Sequence, residues 1–167
     1  MATPEFITAL QATALAEYIR GDAGGGLWAF PVIETLHVMA LAIVYGSIAM
    51  VDVRMLGIAA RNVRMSRLAS EVLPWTWTAF IFAAITGSLM FITKGDTYWN
   101  NFETRAKFLC MALAGLNMAI YQFGMHKRVN EWDASIPPPL AVRMAGALSI
   151  ALWTGVVFFG RWIGFTT

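Results

Sequence analysis

Charge is the scarcest commodity in this sequence. Asp, Glu, Lys and Arg together make up 13% of its 167 residues, where a soluble domain carries roughly 25%. With 58% hydrophobic residues and a mean hydropathy of +0.60, the chain reads as a polytopic membrane protein, one domain over 1–167 without a separate soluble module. Its net charge of +2 is small and scattered, which excludes a nucleic-acid surface. Cysteine is nearly missing as well. Cys110 stands alone in an apolar run, so neither an intramolecular disulfide nor a cysteine-based metal cluster is available, and it reads as a small buried hydrophobe. There is no nucleophile elbow, phosphate-binding glycine loop, dinucleotide fingerprint or zinc motif. The Gly24-Gly25-Gly26 run has no strand before it and reads as a hinge. These absences exclude hydrolytic or nucleotide-driven chemistry by this chain alone. Basic residues are also absent from Met1 to Ile19, so the basic n-region of a secretory signal is not found there.

What is present is long apolar runs. Four spans are expected at about 27–51, 74–93, 105–126 and 140–160, each near the ~20 residues a bilayer needs. Ahead of them, Phe6, Ile7, Leu10, Ala14, Leu15 and Tyr18 recur at helical spacing. They predict an amphipathic surface helix over 4–20. The fold class is therefore an all-α antiparallel four-helix membrane bundle with a short N-terminal amphipathic helix. Gly46, Gly57, Ala84, Gly87, Ala114, Gly115, Gly146 and Gly155 supply small surfaces for close helix approach. Of the 12 Lys and Arg, seven fall on the side of the Asp52–Leu73 loop and five on the side of the termini. The positive-inside rule then expects a bacterial inner-membrane protein with both termini periplasmic. Trp28, Trp99 and Trp162 mark one interface and Trp75, Trp77 and Trp132 the other, whereas Trp153 lies deep in a span.

One stretch carries chemistry. Within the first span, Glu34 and His37 stand three residues apart, on one helical face and about a turn from each other. An ionisable group inside a span is costly and is a functional candidate by default. At 1.5 Å per residue, His37 lies about 14 Å below the outer interface. The same depth on the other spans reaches Thr86, the stretch from Ala114 to Asn117, and Trp153 or Thr154. Glu34 is nearer the level of Met90, Cys110, Met111 and Gly155, with Lys107 and Arg161 able to reach it. This predicts an outer-half pocket lined by Glu34, His37, Thr86, Asn117 and Thr154, with Trp153 as an apolar wall. His126, next to Lys127-Arg128, differs in depth by on the order of 15 Å, too far to share a haem iron with His37.

Several readings of the pair stand side by side. A carboxylate-bridged di-iron site needs the Glu-x-x-His motif twice plus two more acids, and no second copy occurs. As a haem site, His37 is one axial ligand, with Met90, Met111 or Met118 available opposite. As a copper site, His37 and methionines suit the cuprous ion. A proton pathway, or a neutral histidine that only fixes helix packing, uses the same residues. Asp52 and Arg54, where the first span leaves the membrane, read as an interfacial ion pair with the Arg-rich loop.

Glu34-Thr-Leu-His-Val-Met-Ala-Leu-Ala, followed by Val51-Asp-Val-Arg-Met-Leu-Gly57, resembles a bacterial family of small four-span membrane proteins known only as a domain of unknown function. Leu73-Pro-Trp-Thr-Trp77, Leu116-Asn117 and Gly160-Arg161 are similar to it too, so the resemblance covers nearly the whole chain. The Leu-His-Val core with its downstream Asp-x-Arg also resembles the copper-resistance D permeases and the haem-containing membrane protoporphyrinogen oxidases. In the latter a first-span histidine holds haem, which the resemblance carries to His37. The expectation is then a small membrane redox subunit binding haem b, with His37 oriented by Glu34. It would pass electrons between a membrane quinone and a periplasmic or membrane-bound partner. A copper or small-solute permease and a non-catalytic subunit of a larger membrane complex are the alternatives.

Overall fold

The computed structural model describes residues 3–22, 26–125, 127, 129–133 and 137–166, with the side chains of 125, 130 and 131 outside that description. His126 and Arg128 lie outside it. Helices account for nearly all of the described chain. They are α1 (Glu5–Gln11), α2 (Ala14–Arg20), α3 (Ala29–Met55), α4 (Met65–Thr93), α5 (Gly95–Asn100), α6 (Phe102–Ile120), α7 (Val129–Trp132) and α8 (Leu140–Thr166). A π-helical turn, Tyr121–Met125, extends α6. Four segments are long and apolar enough to cross a bilayer: Ala29–Met55, Met65–Thr93, Phe102–Gly124 and Leu140–Thr166. The protein is a multi-pass membrane helical bundle.

The N-terminal helix expected over 4–20 is divided in two. Thr13 takes an extended backbone and its hydroxyl accepts the Ala16 N–H at 3.3 Å, so it ends one helix and caps the next. Both short helices are tied to the terminal side of the bundle. Arg20 donates to the Gln11 carbonyl at 3.0 Å and to the Thr93 carbonyl at 3.2 Å, while Gln11 donates to Asp96 at 2.7 Å. That bond from Gln11 holds the Asp96 carboxyl below its ordinary value. Methyl–backbone contact completes the join, because a Cβ on Gly95 would sit 2.7 Å from Ile7.

The second span begins well before the expected residue 74. Helix α4 starts at Met65 and carries Pro74 inside it. The arginine-rich stretch is thus partly helix rather than loop. The extra turns are held from across the sequence. Asp133 accepts the Ser66 backbone N–H and the Ser66 hydroxyl, both at 2.8 Å. Burial pulls the Asp133 carboxyl up, but those two donors and the charges of Arg64 and Arg54 outweigh it and leave it below its ordinary value.

Backbone packing runs α4–α3–α8–α6. Helix α3 packs most extensively on α4 and α6 on α8, and a narrower α3–α8 contact joins the two pairs. No comparable α4–α6 contact closes the ring among the described residues. Small residues on α8 set the seams. A Cβ on Gly146 would lie 3.1 Å from the Asp52 carbonyl, and one on Gly155 would lie 3.1 Å from Cys110 Sγ. Gly46 and Gly115, expected to serve the same purpose, face open space. Gly57 serves the chain differently. With φ +73° it ends α3, where Ile58 N–H reaches the Val53 carbonyl at 3.1 Å and Gly57 N–H the Arg54 carbonyl at 3.0 Å. That pair of bonds is the Schellman pattern, which needs the left-handed region.

On the loop side, Val51, Met55, Met65, Tyr121, Trp132, Val142 and Ala145 form one core cluster. Trp132 is 7% exposed, so it belongs to this core and not to the interfacial belt where its position suggested it. Beneath it, Arg54 is fully buried and donates to the Val63 carbonyl at 2.8 Å and the Asp133 carbonyl at 3.0 Å. Asp52, 4% exposed, interacts with Ser149. The expected interfacial ion pair of Asp52 and Arg54 is absent among the described salt bridges. Arg54 is instead an internal fastener for the 56–64 loop and for the chain at Asp133.

Candidate functional site

His37 stands eight residues into α3 and Thr86 seven residues from the end of α4, about 12 Å and 10 Å from the same end of the bundle. They meet: His37 Nδ1 is 2.9 Å from Thr86 Oγ1. The tautomer follows from what surrounds that hydroxyl. Thr86 Oγ1 is also 2.9 Å from the Phe82 carbonyl and 3.2 Å from the Ala83 carbonyl. A carbonyl only accepts and a hydroxyl has a single proton. All groups are satisfied when Thr86 donates to its own helix and accepts from His37 Nδ1–H. This network assigns the lone pair to Nε2.

The ring rests on a glycine. A Cβ at position 87 would lie 2.9 Å from His37 Cε1 and 3.5 Å from Nδ1. Any residue larger than glycine at that position drives the imidazole off Thr86. Sequence alone marks Gly87 only as a packing residue; its pairing with His37 requires the azimuth of both helices, which depth counting does not supply.

The remaining predicted residues separate into two groups. Trp153 reaches across the bundle and meets Phe80 edge-on, with ring centroids 6.3 Å apart. Phe80 and Trp153 are each 13 residues from the terminal-side ends of their helices, so the pair lies about 8 Å deeper than His37. Trp153, expected as an apolar wall, is thus packed on Phe80 at that level. Thr154 instead shares a hydrogen bond of 3.0 Å with Tyr45. Asn117 donates to the Ala145 carbonyl at 3.0 Å. Both fasten helices to one another. Met90 and Met111 are half-buried.

Glu34 is exposed and makes no hydrogen bond to His37 among the described residues. Its charge is felt by Tyr98 on α5, whose hydroxyl is pushed up by burial and then by Glu34. The orienting role expected of Glu34 is filled by Thr86. Nor do the nearby cations turn to Glu34, for the described ion pairs are Arg20–Asp22 and Arg67–Glu71. Arg161 lies over the Phe165 ring, 5.1 Å from its centroid.

Lys107 is the residue whose place in the site is least visible in the sequence. It is half-buried on α6, with its stem along α8 such that a Cβ on Gly160 would meet its Nζ at 3.5 Å. By register it lies about 4 Å nearer the terminal side than His37. Among the described residues, no three His, Cys, Asp or Glu side chains converge as a metal-ion cage.

A family model for the family of unknown function DUF6644 matches residues 8–166, and the chain belongs to that family. No curated protein and no solved structure matches it.

Proposed function

We propose that this member of a family without an assigned function is a small haem-binding redox subunit of the membrane, with His37 as an axial ligand. The observation that carries the reading is the locked imidazole. Thr86 holds Nδ1–H at 2.9 Å, Gly87 leaves room under the ring, and Nε2 is left with its lone pair. A metal-ligating histidine is oriented in this way by a bond from its other nitrogen. The number of donors favours a porphyrin over a bare ion. A bare ion needs several protein ligands, whereas haem iron brings four nitrogens of its own and asks one or two of the protein. The Leu-His-Val likeness to haem-containing membrane protoporphyrinogen oxidases supports the same choice.

Haem b bound there supplies one-electron transfer, and the chain's own residues set the conditions. His37 Nε2 binds the iron, and Thr86 fixes the plane of the imidazole. Phe80 and Trp153 close the apolar floor. Electrons pass between a membrane quinone and a periplasmic or membrane-bound partner, in a bacterial inner membrane with the termini on the periplasmic side. The balance of basic residues, seven to five of 12, supports that orientation.

The test is an absorbance spectrum of protein purified from haem-replete cells. A Soret band that His37→Ala removes, with the variant still monodisperse in detergent, supports the reading. Protein without haem absorbance overturns it. Stoichiometric copper removed by the same substitution would point instead to the copper permeases, and a colourless, metal-free protein held in a larger complex to a structural subunit.

A further inference from the structure

Lys107 has no described partner for its charge. It lies on a membrane-spanning segment, five residues in from Phe102, and neither a hydrogen bond nor an ion pair is formed by it among the described residues. A cation at such depth is expensive and is kept for a counter-charge or a pathway. The neighbouring acids form no described ion pair with it: Glu103 stands one turn before it on α6, Glu34 is exposed, and Asp96 is engaged by Gln11 on α1. The side chain does not lie in open lipid either, because it is half-buried and its stem follows α8 at Gly160. By register, Lys107 lies about 4 Å nearer the terminal side than His37, on the side away from the aromatic floor. The terminal half of the bundle thus holds the His37 ring and, about 4 Å nearer the terminal side, a half-buried ammonium that forms no described ion pair.

Resting on the haem reading, we propose that Lys107 is the counter-cation for a carboxylate of the group that His37 ligates, namely a haem propionate. Held so, a propionate would meet Lys107 on the terminal side, while Phe80 and Trp153 would meet apolar parts of the group deeper in the bundle. Lysine does this as a compact point charge on a flexible stem, which suits a carboxylate carried on a two-carbon arm. A free fatty acid offers the same chemistry, and the experiment separates the two.

The test is titration of full-length protein, prepared from haem-depleted cells in detergent, with haemin and with haemin dimethyl ester, whose propionates are uncharged. Wild-type protein binds haemin at least tenfold more tightly than the ester. Lys107→Met loses that preference by weakening haemin binding and leaving ester binding as it was, so ester binding shows that the variant is folded. Lys107→Arg restores most of the preference. Equal binding of haemin by wild type and Lys107→Met overturns the assignment to Lys107 while the role of His37 stands, and failure of wild type to bind either compound overturns both. Excess palmitate that weakens haemin binding to wild type but leaves haemin binding to Lys107→Met unchanged supports the carboxylate contact. Palmitate that competes equally with the ester and with haemin assigns Lys107 to lipid and overturns the propionate.

Discussion

Replacing Arg54 by methionine is expected to destabilise the protein by about 2.5 kcal/mol, the middle of the range that its gains and losses allow. The side chain is fully buried and makes two described bonds, to the Val63 carbonyl at 2.8 Å and the Asp133 carbonyl at 3.0 Å. Bonds from a charged donor contribute roughly 1.5–3 kcal/mol each, so the pair is worth about 3–6 kcal/mol. Against this, Arg54 Nη1 has no hydrogen-bond partner among the described residues, and removing a buried unsatisfied donor returns about 1–3 kcal/mol. Methionine nearly fills the volume, which keeps the cavity contribution small. Arg54→Lys should fall between the two, since an ammonium cannot span both carbonyls as the guanidinium fork does. The assay is reversible unfolding in mixed micelles with increasing sodium dodecyl sulfate, followed by circular dichroism. Arg67→Met serves as the control, because its bond to Glu71 is on the surface, and it should leave the midpoint unchanged. Arg54→Met within about 0.5 kcal/mol of wild type, the range of ordinary surface substitutions, would refute the internal-fastener role.

Two further outcomes follow from the hydrogen bonds. The chain has two histidines, so 15N-histidine labelling of a His126→Asn variant gives one ring to observe. In protein free of cofactor it should show a protonated Nδ1 and a bare Nε2, and Thr86→Val should mix the tautomers at a stability cost of about 1 kcal/mol. An Nε2–H tautomer in the parent contradicts the assignment. Asp133 has a carboxyl held below its ordinary 3.8 in the fold, so its contribution is complete above that value and vanishes as pH falls through the lower folded value. Below about pH 4 the melting temperature of wild type should therefore drop more steeply than that of Asp133→Asn; parallel curves would show that Asp133 does not cap α4.

Much of this architecture is written in the chain locally. Runs of apolar residues mark the four spans because a bilayer demands that length, and depth counting brings His37 level with Thr86 because rise per residue is constant. Azimuth is what the pattern withholds. Residues at one depth on a helix still differ by about 100° per position, and a span apolar on all sides carries no stripe to say which way it faces. That is why Thr154 and Asn117, expected in the pocket, are spent on Tyr45 and the Ala145 carbonyl, and why Gly87 and Lys107 do not stand out in the sequence as partners of His37. Arg54 is hidden for another reason. Its burial depends on Trp132 and Asp133 folding back over the end of α3, a contact between residues about eighty apart that leaves no periodic trace.

The order α4–α3–α8–α6 makes the molecule two hairpins bound along one spine, α3 against α8. An assembly of that form is joined on one edge and unstitched on the other. Were haem bound as proposed, the side between α4 and α6 is where a flat, lipid-soluble group would enter from the plane of the bilayer without undoing a helix. Loading then becomes a matter of parting two covers, and the rate of cofactor capture should depend on the membrane around the protein as much as on the protein itself.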